Sequence, residues 1–416
     1  MSERVKKRDF HYGKVFTYSY IVLLVTELCV KMCMYMQHAT VTLYILDSGG
    51  SATFVGSVLA VQLLSSLVFR PISGNLIDRN KVFPMLMGTV IYSAAISLFL
   101  LDLPIHFILG IVIIQGVGYA LAETGIYALA SATVPEEYMT RCYTYLNVVE
   151  TLAAAVSTTF AIFLRNRSGF HTVFLVIFGI SILALGCIAL LSSTSWKLNG
   201  GHYYHPSHLL HPRGTGNRRR ERAPREEGNF LTRVVDRNAL TPAILYMLIM
   251  FAGEAILGFL VAYGKTEGIG NPGVFYTVQA VCVYVSSMFV GRIDERHGLK
   301  AVLLPGFAFY FLALAGIFLN ISYTSIIICG MLFGCGVGFA QPALGSLAVK
   351  MAGEEHRGKA NSTIGLLLDL GGSAASLTYG RMVDSFGYRS IYATAAMIVV
   401  VITIVYLVMR QKKLLL

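Results

Sequence analysis

The chain has 416 residues, 55% hydrophobic and only 13% charged, where an average soluble domain is about 25% charged. That deficit, with a mean hydropathy of +0.65, excludes a surface wholly in contact with water. A net charge of +11 would suggest nucleic acid in a soluble protein, but here the hydropathy points to a bilayer first.

A helix that crosses a bilayer needs about 20 mostly apolar residues. Hydropathy and breaker residues predict twelve spans, at 17–45, 52–76, 82–101, 105–130, 143–163, 172–193, 241–264, 272–291, 300–319, 322–348, 360–380 and 388–410. The basic N-terminus precedes an apolar run too long for a signal-peptide core and without a clear small-residue cleavage site, so the first span is expected to be retained. The predicted organisation is an N-terminal six-helix bundle (1–193), a polar linker (194–240) and a C-terminal six-helix bundle (241–416). Seven cysteines show neither a disulfide framework nor a zinc spacing.

Lys and Arg in short loops stay cytoplasmic. Arg4, Lys6, Lys7, Arg8 and Lys14, the Arg79/Lys81 loop, the linker, Arg292/Arg296/Lys300, Lys350/Arg357/Lys359 and Arg410/Lys412/Lys413 all fall on one predicted side, with Arg70 counted beside them. The other side receives only Arg165, Arg167, Lys265, Arg381 and Arg389. Both termini are therefore expected in the cytoplasm of a cell-membrane protein.

In the linker, His202, His205, His208 and His211 recur every third residue, a weak zinc or nickel signal that Pro206 and Pro212 weaken further by breaking any helix that would present them together. The run Arg218-Arg219-Arg220-Glu221-Arg222 suits anionic lipid headgroups. It lacks the aromatic interleaving of a nucleic-acid site, and no nucleic-acid partner is expected.

The two halves repeat. Gly74-Asn75-Leu76-Ile77-Asp78-Arg79 follows the second span and Gly291-Arg292-Ile293-Asp294-Glu295-Arg296 the eighth; Gln115-Gly116-Val117-Gly118 in the fourth span resembles Cys335-Gly336-Val337-Gly338 in the tenth. A parallel repeat of this period sets two bundles around a shared interface. On these motifs the sequence resembles the major facilitator superfamily over essentially its whole length. Arg70-Pro71-Ile72-Ser73-Gly74, with the stretches 263–298 and 369–387, looks like an exporter branch that includes sugar-efflux and opine-metallophore-efflux members. Val112, where the family usually has arginine, and a fifth span without a Gly-Pro pair depart from its drug/proton antiporters. The resemblance implies an all-α membrane fold of twelve helices in two pseudo-symmetric bundles. It also implies a gating role for Arg70, Gly74, Asp78, Arg79, Gly291, Asp294 and Arg296. From the residues alone, Asp78 can accept from a neighbouring helix N-terminus, and Arg79 can sit beside acidic groups.

Glu27, Lys31, Glu123, Glu150, Glu254 and Asp369 fall within predicted spans. A charge at mid-bilayer costs at least ~2.5–3.5 kcal/mol, so these groups are expected to face an interior cavity. They avoid spans 3, 6, 9 and 12, which the resemblance makes outer scaffold. Glu27 and Lys31, four residues apart, share a helix face and can pair. A carboxylate that loses its cation in one conformation can take up a proton, the minimum machinery of proton coupling; a static pair that only fixes packing is the alternative. Glu254 has no cation within a turn, and Asp369 precedes Gly371-Gly372, which admit a close helix neighbour.

The expected function is a monomeric, proton-coupled exporter of a small organic compound, an antiporter without cofactor and not an enzyme. The competing expectations are a proton symporter importing an anionic nutrient at Lys31 and a non-transporting receptor or assembly protein on a transporter fold.

Overall fold

The computed structural model describes residues 17–77, 82–101, 103–133, 139–194, 236–352 and 357–411. Asp78, Arg79, the four linker histidines and the polybasic run lie outside them. The first half comprises α1 (Tyr18–Asp47), α2 (Ala52–Ile77), α3 (Val82–Ser97), α4 (Ile108–Thr133) and α5 (Met139–Thr194). The second comprises α6 (Arg237–Thr266), α7 (Val274–His297), α8 (Lys300–Leu319), α9 (Tyr323–Ala352), α10 (Arg357–Phe386) and α11 (Tyr388–Gln411).

Among the described residues, ten helices are long and apolar enough to cross a membrane. One of them, Val148–Leu191, has 44 residues, about 66 Å at 1.5 Å per residue and enough for two crossings. The fifth and sixth predicted spans are thus one continuous segment rather than two helices and a loop. It breaks at Gly169, whose φ of 82° lies in the left-handed region that glycine enters without a Cβ clash. The more polar α10 packs between α2 and α6, and a twelve-span reading counts it with the two arms of α5.

Helix starts follow local chemistry. Thr17 caps α1 through the N–H of Tyr20, and Asp236 caps α6 by accepting from Asn238 and Ala239. Large apolar side chains such as Val68, Leu183, Val281, Met288 and Met397 are exposed around the outside, as a lipid-facing surface requires.

The repeat is visible in the packing, in a register two residues from the one the sequence suggests. A Cβ on Gly116 would stand 2.5 Å from the carbonyl of Gln62, and one on Gly334 2.4 Å from that of Gln279. Likewise Gly118 lies against the N of Tyr92 and Gly336 against the N of Tyr310. The equivalents of Gly116 and Gly118 are therefore Gly334 and Gly336, not Gly336 and Gly338. A run of alternating glycines can be aligned two ways by eye; close backbone approach selects one.

Several seams join the halves near the end that carries Asp47. Asp47 pairs with Arg165 and with Lys265. Between α5 and α7, Thr159 Oγ1 donates to the carbonyl of Gly273 at 2.8 Å, and Asn166 donates to that of Gly270 at 3.2 Å. Between α2 and α10, a Cβ on Gly56 would stand 2.1 Å from the carbonyl oxygen of Ser376. At the same seam Asp384 accepts the N–H of Ala52 at 2.9 Å and of Thr53 at 2.7 Å, so the first turn of α2 is capped by the other half of the molecule. Burial pushes the Asp384 carboxyl up, but hydrogen bonds from Thr53, Ala52 and Ser51 outweigh it and hold it below its ordinary value. A depressed carboxyl contributes above its unfolded pKa and is lost only as pH falls through the still lower folded one. We expect Asp384→Ala to weaken this seal by about 1 kcal/mol, read as faster hydrogen exchange of the Ala52 and Thr53 amides that it accepts from, whereas the native seal holds unchanged between pH 5 and 8.

Candidate functional site

Lys31 is buried at the meeting of α1, α4 and α5, its side chain 2% exposed. Its Nζ lies 2.7 Å from Glu123 Oε1, 3.0 Å from Glu150 Oε1 and 3.9 Å from Glu27 Oε1, and it donates to Tyr119 OH at 2.7 Å. The sequence-predicted Glu27–Lys31 pair is present but is the longest of the three. Glu27 is fully buried and neither of its oxygens is hydrogen-bonded to another described residue.

The network continues through Glu123, whose Oε2 lies 3.0 Å from Arg70 Nη2, while Arg70 Nε stands 2.7 Å from Asp369 Oδ2. Both Arg70 contacts are charge pairs at close range. Asp369 belongs to α10, so this last pair crosses between the halves. The sequence counts Arg70, near the end of the predicted span 52–76, with the cytoplasmic charges; the structure sets its side chain, 32% exposed, between two membrane carboxyl groups. Of the other motif residues, Asp294 pairs with Lys350 at 3.1 Å within the second half, and Arg296 is exposed. Gly74 and Gly291 lie in α2 and α7.

Glu254 stands apart from the network. Its Oε1 accepts from Ser376 Oγ at 2.8 Å, next to Gly258, where an added Cβ would meet Leu59 of α2 at 3.1 Å. It therefore sits at the seam between halves. Nearby polar side chains are satisfied locally: His38 bonds Gln62 at 3.0 Å, and Gln37, Gln115 and Tyr92 form a closed buried cluster.

Sequence reasoning missed the tyrosines. Tyr119 donates to Glu123 at 2.6 Å and Tyr35 to Glu150 at 3.2 Å. Tyr119 lies one turn before Glu123, so the rule that found Glu27–Lys31 would also have found it, whereas Tyr35 and Glu150 are 115 positions apart and helix spacing carries no signal of their contact.

Lys31→Met leaves three carboxyl groups without their shared cation, and removing one member of a buried charge pair costs about 3–5 kcal/mol. The Tm of the purified protein should fall sharply, and Lys31→Met with Glu123→Gln should recover part of the loss. A double variant no more stable than the single one would show that the charges are not coupled.

The sequence model of the Major Facilitator Superfamily matches residues 23–282 and 243–414. The staphylopine export protein of Staphylococcus aureus is 22% identical over 374 residues, covering 86% of this chain and 87% of the relative. Macrolide efflux protein A of Streptococcus pyogenes is 26% identical over 129 residues, and the chain spans only 32% of that relative's length. Among solved structures, a POT family transporter superimposes with a TM-score of 0.74 at 15% identity, over 96% of this chain and 98% of that one. A bacterial homologue of the human lysosomal transporter Spinster, inward-facing and occupied, gives 0.73 at 12% identity, over 96% and 98%. The chain belongs to the major facilitator superfamily and is a multi-pass membrane protein of that transporter family.

Proposed function

We propose that the chain exports a small organic compound from the cell by alternating access, driven by protons moving inward through the Lys31–Arg70 network. The observation that carries this reading is the Arg70–Asp369 pair, which joins a buried chain of ionisable groups in one half to the other half. Two cations, Lys31 and Arg70, stand among four carboxyl groups, Glu27, Glu123, Glu150 and Asp369. Protons on the carboxyl groups relieve that excess of negative charge. A proton on Asp369 weakens Arg70's partner across the seam and leaves the guanidinium paired with Glu123 alone. Glu27, enclosed and unbonded, is the preferred proton carrier; Glu254, held by one hydroxyl at the seam, is the second.

The concentration of Lys and Arg on the other side supports an extracellular Asp47 end and cytoplasmic termini, which would make the sealed end the extracellular one. The efflux and export functions for which the two relatives are named support outward transport. Import of an anion at Lys31 has less support, because Glu123 and Glu150 already enclose that ammonium. A receptor role without transport predicts retained biological function when Glu27, Glu254 and Asp369 are neutralised together.

The substrate would be found as a compound that accumulates in cells lacking the gene. In inverted vesicles its uptake should fall at least about tenfold when the pH gradient is collapsed. Glu27→Gln should lose gradient-driven uptake while keeping substrate exchange. Uptake indifferent to the pH gradient would reject proton coupling.

A further inference from the structure

At the Asp47 end the halves meet along two seams that are copies of one another. Gly273 of α7 and Ser376 of α10 stand 217 positions after Gly56 of α2 and Thr159 of α5, so each seam sets a glycine of one half against a hydroxyl residue of the other. A Cβ on Gly273 would stand 2.8 Å from the Cα of Thr159, and one on Gly56 3.0 Å from the carbonyl carbon of Ser376. The two hydroxyls then differ. Thr159 Oγ1 crosses its seam to the carbonyl of Gly273 and to Thr277 Oγ1, each at 2.8 Å, whereas Ser376 Oγ turns back to Glu254 in its own half.

The seams also differ in what remains when they part. On one side the connection from α6 to α7, residues 265–273, lies along α1 and α5. Lys265 pairs with Asp47, the carbonyl of Gly270 accepts from Asn166, and Asn271 donates to the carbonyl of Thr159 at 3.4 Å. These groups have second partners in their own half. Asp47 keeps Arg165, Thr159 Oγ1 is 3.3 Å from the carbonyl of Ala155, and Asn166 accepts from Arg165 at 3.0 Å. In the other half, Asn271 accepts the N–H of Gly273, and the carbonyl of Gly273 accepts that of Tyr276, both at 3.0 Å. Lys265, exposed, passes to water. Parting here exchanges partners instead of orphaning them. On the α2–α10 side, Asp384 takes the amides of Ala52 and Thr53, first-turn donors beyond the reach of any carbonyl of α2, and Ala52 is buried. There the backbones themselves touch: a Cβ on Gly380 would stand 3.2 Å from the Cα of Gly56.

We propose that the 265–273 connection is a latch that releases first when the Asp47 end opens, while the α2–α10 contact stays closed as the hinge. The mouth then gapes on the α5–α7 side, whereas a symmetric rocking of the halves would part both seams together. This rests on alternating access with the Asp47 end outside, and it holds whether or not protons drive transport.

The test places pairs of nitroxide labels on the full chain in lipid nanodiscs, with its native cysteines replaced by alanine, and measures their separation by continuous-wave and pulsed electron paramagnetic resonance. Arg167→Cys with Glu267→Cys reads the latch side and Ser48→Cys with Ser385→Cys the hinge side; all four positions are exposed. The latch is weakened by Lys265→Gln with Thr159→Val, or by Lys265→Gln alone should the double variant fail to fold. The weakened protein should show a second, longer distance for the latch pair, its lengthening at least about twice that of the hinge pair, as rotation about a hinge requires. Equal lengthening of both pairs, a larger change on the hinge side, or an unchanged single distance for the latch pair overturns the proposal. Transport indifferent to a pH gradient rejects proton coupling and leaves these distances, and the latch, as they are.

Discussion

One buried ammonium organises the first half of the molecule. Removing Lys31 from water is tolerable only because carboxyl groups from α1, α4 and α5 converge on it. That requirement fixes how these three helices face one another. Glu123, held by Lys31 on one oxygen, turns its other oxygen to Arg70, which in turn reaches Asp369 in the second half. The inter-half contact at this level thus depends on an ion cluster centred on α1. The seams at the Asp47 end rest on something different, backbone approach at Gly56 and a shared helix cap at Asp384. Steric fit there is short-ranged and directional, whereas the charge pairs of Arg70 act over longer distances with little orientation.

Hydropathy and the repeat made the architecture legible, because a bilayer permits few solutions for an apolar chain. The identities of the site residues were legible for the same reason: an ionised side chain within a span needs a partner, so Glu27, Lys31, Glu123, Glu150 and Asp369 stood out. Their pairing was not. Helix periodicity reports neighbours one turn apart, hence Glu27–Lys31, but Lys31–Glu123 and Lys31–Glu150 join residues 92 and 119 positions apart. Arg70 fell within the predicted second span but was counted with the inner-side charges; the carboxyl groups on α4 and α10 that pair with it could not be read from spacing. The break at Gly169 was hidden by Arg165, Asn166 and Arg167, which look like a loop yet continue a helix.

The repeat that built the two halves is unequal in chemistry. The glycine contacts recur at Gly116/Gly334 and Gly118/Gly336, as does Tyr92 in Tyr310. At the matching offsets, Arg70 falls on Ser287 and Glu123 on Gln341. Packing was therefore kept in both halves, while the ionic machinery sits mainly in one. Such a division suits a mechanism in which the second half responds to the first through Asp369.

Gly169 also governs how motion can spread. The first arm of α5 carries Glu150, in the ion network, and Thr159, at the seam with α7. The second arm packs on α1 and on the turn that follows α3, through Tyr44–Phe174 and Phe99–Phe174, the latter with ring centres 4.7 Å apart. A loop between the arms would absorb a tilt of the first without moving the second. With one residue as the joint, a tilt of the first arm at Glu150 would pass to the second through the backbone torsions of a single glycine. A longer, flexible insertion at this point would uncouple the two arms while leaving every ion pair in place.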